Sequence, residues 1–171
     1  MKKLVFLFST ASIFLVLLIF FVFFRFNDSK LHIVICNVGQ GDAIFIRTPA
    51  QADILIDGGP DKKVLDCLSR HMPFWDRSLD LVIMTHPDAD HSTGLVDVIK
   101  RYQVSSFYTE EVAGKTQIFK LLETVLAEKK LSAKYLHLGD RLSDSSGFSM
   151  QTLWPSTEAS NSLDQNRSNL R

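Results

Sequence analysis

Cysteine is scarce in this chain of 171 residues, and the two cysteines present are Cys36 and Cys67. They are not spaced as CxxC or as any other metal-finger pattern, which excludes a small domain held together by cysteine-bound zinc. The simplest interpretation is that each is a small buried hydrophobic residue. A disulfide between them stays open for a domain outside the cytoplasm, because disulfides persist in oxidising compartments.

An excess of basic charge is also missing, since the chain has 19 Lys plus Arg and 19 Asp plus Glu. The first 26 residues contain Lys2, Lys3 and Arg25 and no acid, so 16 basic residues face 19 acidic ones in the remainder, a formal charge of −3. This balance excludes a nucleic-acid binder that works through its overall charge, although a local basic strip stays open.

Charge is absent altogether from residues 4–24, a run of 21 apolar or small residues that would span roughly 30 Å as a helix, about the thickness of a bilayer core. A cleaved signal peptide has a shorter apolar core and a small-residue cleavage site. Here the run is followed by the sequence Arg-Phe-Asn-Asp at positions 25–28. We therefore expect an uncleaved, single-pass anchor over residues 1–26 and a linker over 27–30.

Lys2 and Lys3 precede the apolar run, so the positive-inside rule favours a cytoplasmic N-terminus and an extracytoplasmic domain over residues 31–171. This domain has no internal repeat, and strand patterns alternate with helix patterns after an antiparallel start, which predicts an α/β layered fold. The predicted strands are 31–38, 43–48, 53–57, 79–85, 106–108, 133–138 and 148–153. The predicted helices are 60–70, 95–102 (capped by Ser92 or Thr93) and 116–130. Residues 155–171 form a polar tail.

The segment HPDADH at residues 86–91 follows the apolar strand 79–85 and holds two imidazoles and two carboxylates within six positions. Alternation along an extended chain would send His86, Asp88 and Asp90 to one side, with His91 next to them where the following helix begins. So many ionisable groups on one loop favour a divalent metal ion that ties them together. The alternative is a solvated loop whose polar residues cap the helix.

Two further acids lie at turns that follow strands, Asp42 after Gly-Gln-Gly and Asp57 before Gly58-Gly59. In α/β folds such turns often meet at the site, so we expect both acids to support the metal residues. Asp57 is the better candidate for orienting a ligand histidine through a hydrogen bond. The alternative for both is an ordinary turn residue.

The predicted donors favour hydrolytic chemistry. A bound metal lowers the pKa of a coordinated water, and Asp90 is a candidate for both ligand and catalytic proton acceptor. The N-terminus of the following helix would favour an anionic group such as a phosphate, so a phosphodiester is a natural substrate. Mixed nitrogen and oxygen donors suit zinc, manganese or iron, and the carboxylates lean towards manganese.

These residues resemble the HxHxDH metal motif of the metallo-β-lactamase superfamily, with Asp88 where the second histidine usually stands. That replacement is typical of the ComEC-type branch, the hydrolase domain of competence proteins that internalise DNA. Five motifs occur in the order of that branch: VGQGDAIFI at 38–46, ILIDGG at 54–59, THPDADHSTGL at 85–95, GDRL at 139–142 and LWP at 153–155.

The resemblance implies the N-terminal part of an αββα sandwich with one or two metal ions, zinc or manganese, and a nuclease-like role. By position it makes His86, Asp88, Asp90 and His91 metal residues and Asp57 a supporting acid. Asn37 departs from the aspartate usual in the branch, and the branch's later metal residues would lie beyond Arg171. Two alternatives therefore stay open: a truncated, non-catalytic remnant or binding module, and an accessory component of DNA uptake.

Overall fold

The computed structural model of the chain describes residues 2–110 and 116–154. The polar tail predicted for residues 155–171 lies outside this described part. The first element is α1 (Lys2–Phe26), of which Phe6–Phe24 has a mean hydropathy of 2.7 and is not buried by the rest of the protein. This helix is long and apolar enough to cross a membrane.

The remaining described residues form a mixed α/β domain, as the alternating pattern predicted. Its six-stranded sheet has the order β1-β2-β3-β5-β7-β8. The first three strands form the predicted antiparallel meander, and β3, β5, β7 and β8 are mutually parallel neighbours. These strands are β1 (His32–Ile35), β2 (Ile44–Arg47), β3 (Asp53–Ile56), β5 (Leu81–Met84), β7 (Phe107–Thr109) and β8 (Ala133–Tyr135).

Three amphipathic helices cover one face of the sheet: α2 (Lys63–His71), α3 (Ala89–Arg101) and α4 (Gln117–Glu128). The main core lies between these helices and the sheet, where Leu68, Leu95 and Leu122 pack with Phe45 and Leu55. Two short parallel strands, β4 (Ser78–Leu79) and β6 (Gln103–Val104), pair at the beginning of β5 and the end of α3.

The opposite face of the sheet carries a second apolar cluster with Ile46, Ile54, Leu81 and Ile83 at its centre. A hairpin of β9 (Arg141–Ser143) and β10 (Ser149–Gln151) packs there through partly buried side chains. All four residues of β5 are buried because it is covered on both faces, which confirms the prediction drawn from its continuous apolar sequence.

The two cysteines are joined, so the interpretation of two separate buried thiols is wrong. Cys36, which follows β1, forms a disulfide with Cys67 in α2, and their Cα atoms lie 5.7 Å apart. The connection brings together residues separated by 31 positions in sequence because α2 packs back over the end of the meander. Cysteine spacing alone does not reveal such a contact.

The start of α3 also differs from the sequence expectation. The helix begins at Ala89, six residues before the predicted start, and its N-cap residue is Asp88. Ser92 and Thr93 are not caps: their hydroxyl groups lie inside the helix and donate to the carbonyl oxygens of Asp88 and Ala89. Asp90 and His91 therefore belong to the first helical turn rather than to an extended loop.

Candidate metal centre

The carboxyl ends of β3 and β5, which are parallel neighbours, bring Asp57 beside Thr85 and His86. Asp57 is 2 % exposed and has a left-handed backbone with φ of 58°. Few residues other than glycine adopt this conformation, and aspartate is among those that tolerate it. Strained backbone of this kind concentrates at functional sites, and here it accompanies a carboxylate that reaches the end of the neighbouring strand.

The Asp57 carboxylate organises both imidazoles of the HPDADH segment. Its Oδ2 lies 2.9 Å from His91 Nδ1 and accepts a hydrogen bond from Thr85 Oγ1 at 2.6 Å, while its Oδ1 accepts from the Thr85 backbone N–H at 2.8 Å. Thr85 Oγ1 in turn lies 2.9 Å from His86 Nδ1. Asp57 thus orients His91 directly and His86 through the threonine hydroxyl.

These contacts also assign the ring protons. A carboxylate accepts hydrogen bonds, so the contact with Asp57 places the His91 proton on Nδ1. The Thr85 hydroxyl has a single proton, which it donates to Asp57, so the contact with His86 places that imidazole proton on Nδ1 as well. Both rings keep the Nε2 lone pair free for a ligand bond, which is the arrangement that metal-binding histidines need.

The two rings lie against each other, with centroids 3.8 Å apart. His91 is buried, His86 is partly buried, and Asp88 Oδ2 lies 3.7 Å from His86 Nε2. Asp90 is partly buried in the first turn of α3, and the Asp42 side chain is exposed at its turn. The structure thus brings Asp57, His86 and His91 together and places Asp88 at their edge.

The donor chemistry fits a divalent metal in part. Two imidazoles with free Nε2 atoms and an adjacent carboxylate suit zinc or manganese. Within residues 2–110 and 116–154, however, no group of three His, Cys, Asp or Glu side chains is close enough to hold a metal ion. The described residues therefore supply a prearranged pair of nitrogen donors rather than a complete ligand set.

Glycines hold the three predicted site turns together through their backbones. Gly58 N–H donates to the His91 carbonyl at 2.8 Å, and Gly94 N–H donates to the Gly59 carbonyl at 3.0 Å. The Gly59 N–H also donates to the carbonyl of Asp42 at 2.9 Å. Asp42 thus contributes a main-chain oxygen to this junction, while its carboxylate faces solvent.

We expect the substitution Gly94→Ala to destabilise the domain by about 1–3 kcal/mol, because a Cβ at this position would lie 1.9 Å from the Gly58 carbonyl oxygen. Helix propensity alone predicts the opposite, a gain of about 1 kcal/mol. Urea unfolding of the full chain in detergent, followed by circular dichroism, measures the difference. Thr93→Ala, in the same helical turn, is the control and should change stability by less than about 0.5 kcal/mol; equal midpoints for both variants would contradict this tight packing.

Thr85 is the site residue that sequence reasoning missed. The sequence patterns assign Thr85 to the end of strand 79–85 and to the first position of the THPDADHSTGL motif but give its hydroxyl no role, although a hydroxyl directly before a candidate ligand histidine is a usable signal. Its role becomes visible only when β3 and β5 are paired, since that pairing places Asp57 within reach of its hydroxyl and its N–H.

Comparison with known proteins agrees with this architecture. Residues 36–117, which include Asp57 and the whole HPDADH segment, match the family model of the metallo-beta-lactamase superfamily. The fold is metallo-β-lactamase-like. The superfamily includes metal-dependent hydrolases, and its members typically bind divalent metal ions.

Among solved structures, the metallo-β-lactamase-like domain is similar to the metal-soaked Flv1 flavodiiron core from Synechocystis sp. PCC6803. The two share 17 % sequence identity, with a TM-score of 0.43, over 60 % of this chain. The chain spans only 25 % of the length of that protein. No curated protein matches the sequence at a significant level.

Proposed function

We propose that this protein is a membrane-anchored, metal-dependent hydrolase of the ComEC-type branch that cleaves phosphodiesters. The observation that carries the proposal is that one carboxylate, that of Asp57, orients two imidazoles. It fixes the tautomer of His91 directly and that of His86 through the Thr85 hydroxyl. A surface loop that merely caps a helix has no need for two imidazoles prepared in this way. The matching order of sequence motifs supports the ComEC-type branch in particular.

In this proposal His86 and His91 hold the metal through Nε2, with Asp88 and Asp90 as the oxygen donors beside them. The bound ion would supply Lewis acidity towards a phosphoryl oxygen and lower the pKa of an attacking water. Asp90 would accept the proton that this water releases. Asp57 and Thr85 keep both imidazoles in the required tautomer throughout the reaction.

The position of α3 supports an anionic substrate. Its N-terminus lies at Asp88 and Ala89, directly beside the imidazole pair. The first turn of a helix has unpaired N–H groups and a positive partial charge, so it attracts groups such as phosphate. The domain as a whole has no cationic excess, and we therefore expect substrate to be recognised at this turn rather than by long-range attraction.

The disulfide supports an extracytoplasmic domain. Cys36–Cys67 would be kept reduced in a typical cytoplasm, whereas it persists outside the membrane. In this proposal α1 is uncleaved and Lys2 and Lys3 stay on the cytoplasmic side, so the domain would lie in that compartment. A contribution to DNA uptake at the cell surface agrees with this location.

The experiment that tests the proposal measures hydrolysis of bis(p-nitrophenyl) phosphate by the full chain in detergent, with added Mn²⁺ or Zn²⁺ and with a chelator. We expect metal-dependent cleavage that Asp57→Asn lowers about 10–100-fold, because an amide in place of the carboxylate disturbs the orientation of both histidines. Asp97→Asn, an equivalent change farther along α3, should leave the rate within about threefold of the original, since it lies outside these contacts. Absence of any metal-dependent cleavage would refute the hydrolase.

A second candidate function, a non-catalytic binding module, is favoured by the incomplete convergence of donors among the described residues. It predicts that the chain binds metal or an anionic ligand without hydrolysing any phosphodiester or ester. The same assay, combined with a direct measurement of bound metal, separates the two candidates.

A further inference from the structure

Two large aromatic side chains protrude side by side from the loop between α2 and β4. Phe74 is 79 % exposed and Trp75 is 56 % exposed, and their ring centroids lie 4.8 Å apart. Exposed neighbouring aromatics are unfavourable in water and are common where a protein meets a membrane or a partner. The Trp75 ring also contacts Phe26, the last residue of α1, with centroids 6.2 Å apart. The loop therefore lies where the candidate membrane span ends.

A cationic groove adjoins the aromatic pair. Trp75 borders a cavity of about 520 Å³ whose walls include Arg77, Arg101 and Lys129. Arg77 lies over the Tyr102 ring and donates to its hydroxyl at 3.3 Å, so the guanidinium is held in place. Three cationic side chains therefore line the groove. The carboxylate of Asp76, which also lines it, already accepts hydrogen bonds from Ser78.

The groove and the metal centre lie at opposite edges of the domain. Trp75 and Arg77 precede β5, whereas His86 follows it, and α3 runs from His91 at one edge to Arg101 at the other. A helix of 13 residues covers roughly 20 Å. The end of α1 therefore lies on the side of the domain away from the imidazole pair.

We propose that Phe74 and Trp75 insert into the headgroup layer of the bilayer that α1 spans, with phosphates of anionic lipids in the groove formed by Arg77, Arg101 and Lys129. Tryptophan favours this layer because its ring is apolar and its N–H is polar. This docking rests on the anchoring role proposed for α1 and extends it. Two attachments to the membrane would fix the orientation of the domain relative to the bilayer. The edge that carries the metal centre would then face the aqueous side.

The chain has two tryptophans, which allows a direct test with the full protein. The variant Trp154→Phe leaves Trp75 as the sole tryptophan, and Trp75→Phe leaves Trp154, which is 67 % exposed. Both are reconstituted into vesicles of phosphatidylcholine and phosphatidylglycerol that contain lipids brominated near the headgroup. Flotation of the vesicles establishes that α1 is inserted, and tryptophan emission is then recorded.

We expect Trp75 emission to be quenched about twofold or more relative to Trp154, because interfacial tryptophans lie at headgroup depth. Omission of phosphatidylglycerol, or the double variant Arg77→Gln/Arg101→Gln, should reduce this quenching. Equal quenching of the two tryptophans in floating protein overturns the docking and leaves the anchored hydrolase intact. Protein that fails to float overturns the anchor and the docking together, while the hydrolysis assay still decides the enzyme.

Discussion

Replacement of His91 by alanine is expected to lower the proposed metal-dependent phosphodiester hydrolysis by about a thousandfold or more. The imidazole is buried, its Nδ1 is bound to Asp57, and its Nε2 is free for the metal. A metal supplies several kcal/mol of charge stabilisation to the transition state, and each 1.36 kcal/mol is tenfold in rate, so loss of about 4 kcal/mol accounts for the estimate. His86→Ala should act in the same direction.

The matched control is His32→Ala. His32 begins β1 and binds Asp28 at 2.8 Å, at the edge of the sheet away from the HPDADH segment. It should retain hydrolysis within about threefold, since it lies outside the site. Parallel measurements on His91→Ala and His32→Ala separate loss of a ligand from loss of an arbitrary histidine; similar activities for the two would contradict the assignment.

The substitution Arg47→Met is expected to destabilise the domain by about 3–5 kcal/mol, because it leaves the Asp53 carboxylate buried without a cation. Arg47 and Asp53 face each other across β2 and β3, and the guanidinium makes two hydrogen bonds of 2.7 and 2.5 Å to the carboxylate. Both side chains are almost fully buried. Urea unfolding of the full chain in detergent gives the magnitude.

The double variant Arg47→Met/Asp53→Leu is the control, because it removes both charges together. Replacing a buried ion pair with apolar residues is often neutral, so the double variant should be distinctly more stable than Arg47→Met alone. If the two variants unfold at the same urea concentration, the ion pair is not the cause of the destabilisation.

Acid should relieve the Arg47→Met defect. Burial raises the pKa of the Asp53 carboxyl, and the hydrogen bonds and charge of Arg47 oppose that rise. Loss of Arg47 removes the opposing effect, so the folded state of the variant takes up a proton more readily than the unfolded state. The stability of the Arg47→Met variant relative to the original protein is therefore highest below the pKa that Asp53 has in the unfolded chain. This relative stability is lost as the pH rises through the pKa that Asp53 has in the folded variant.

The strands of the antiparallel meander and the buried strand β5 were predictable because apolar runs and turn residues mark them directly, whereas the short strands β4, β6 and β9 and the order of the sheet were not predicted. The continuous apolar run around Val82 is typical of a strand covered on both faces, and the short turns between the first three strands favour an antiparallel meander. The start of α3 differs because the sequence pattern predicts Ala89 and Asp90 in a metal loop and Ser92 or Thr93 at the cap, whereas the helix begins at Ala89. Local propensity does not reveal that these hydroxyls donate inside the helix.

The contacts at the site depend on distant parts of the chain. Asp57 is separated by 28 residues from Thr85 and by 34 from His91, so only the parallel pairing of β3 and β5 makes their hydrogen bonds possible. The disulfide between Cys36 and Cys67 has the same origin in tertiary packing. The identity of Asp57 as a supporting acid could be proposed from its position before Gly58-Gly59, but its link to His86 through Thr85 required the paired strands.

The central claim, that the HPDADH segment and Asp57 prepare two imidazoles for a divalent cation, is tested most directly by metal binding. Equilibrium dialysis of the full chain in detergent against Zn²⁺ or Mn²⁺, followed by metal analysis, compares the unmodified protein with His86→Ala/His91→Ala. The account predicts saturable binding of about one ion per chain, lost in the double variant, since a site of this kind requires its nitrogen donors. Equal metal content in the two proteins would contradict it.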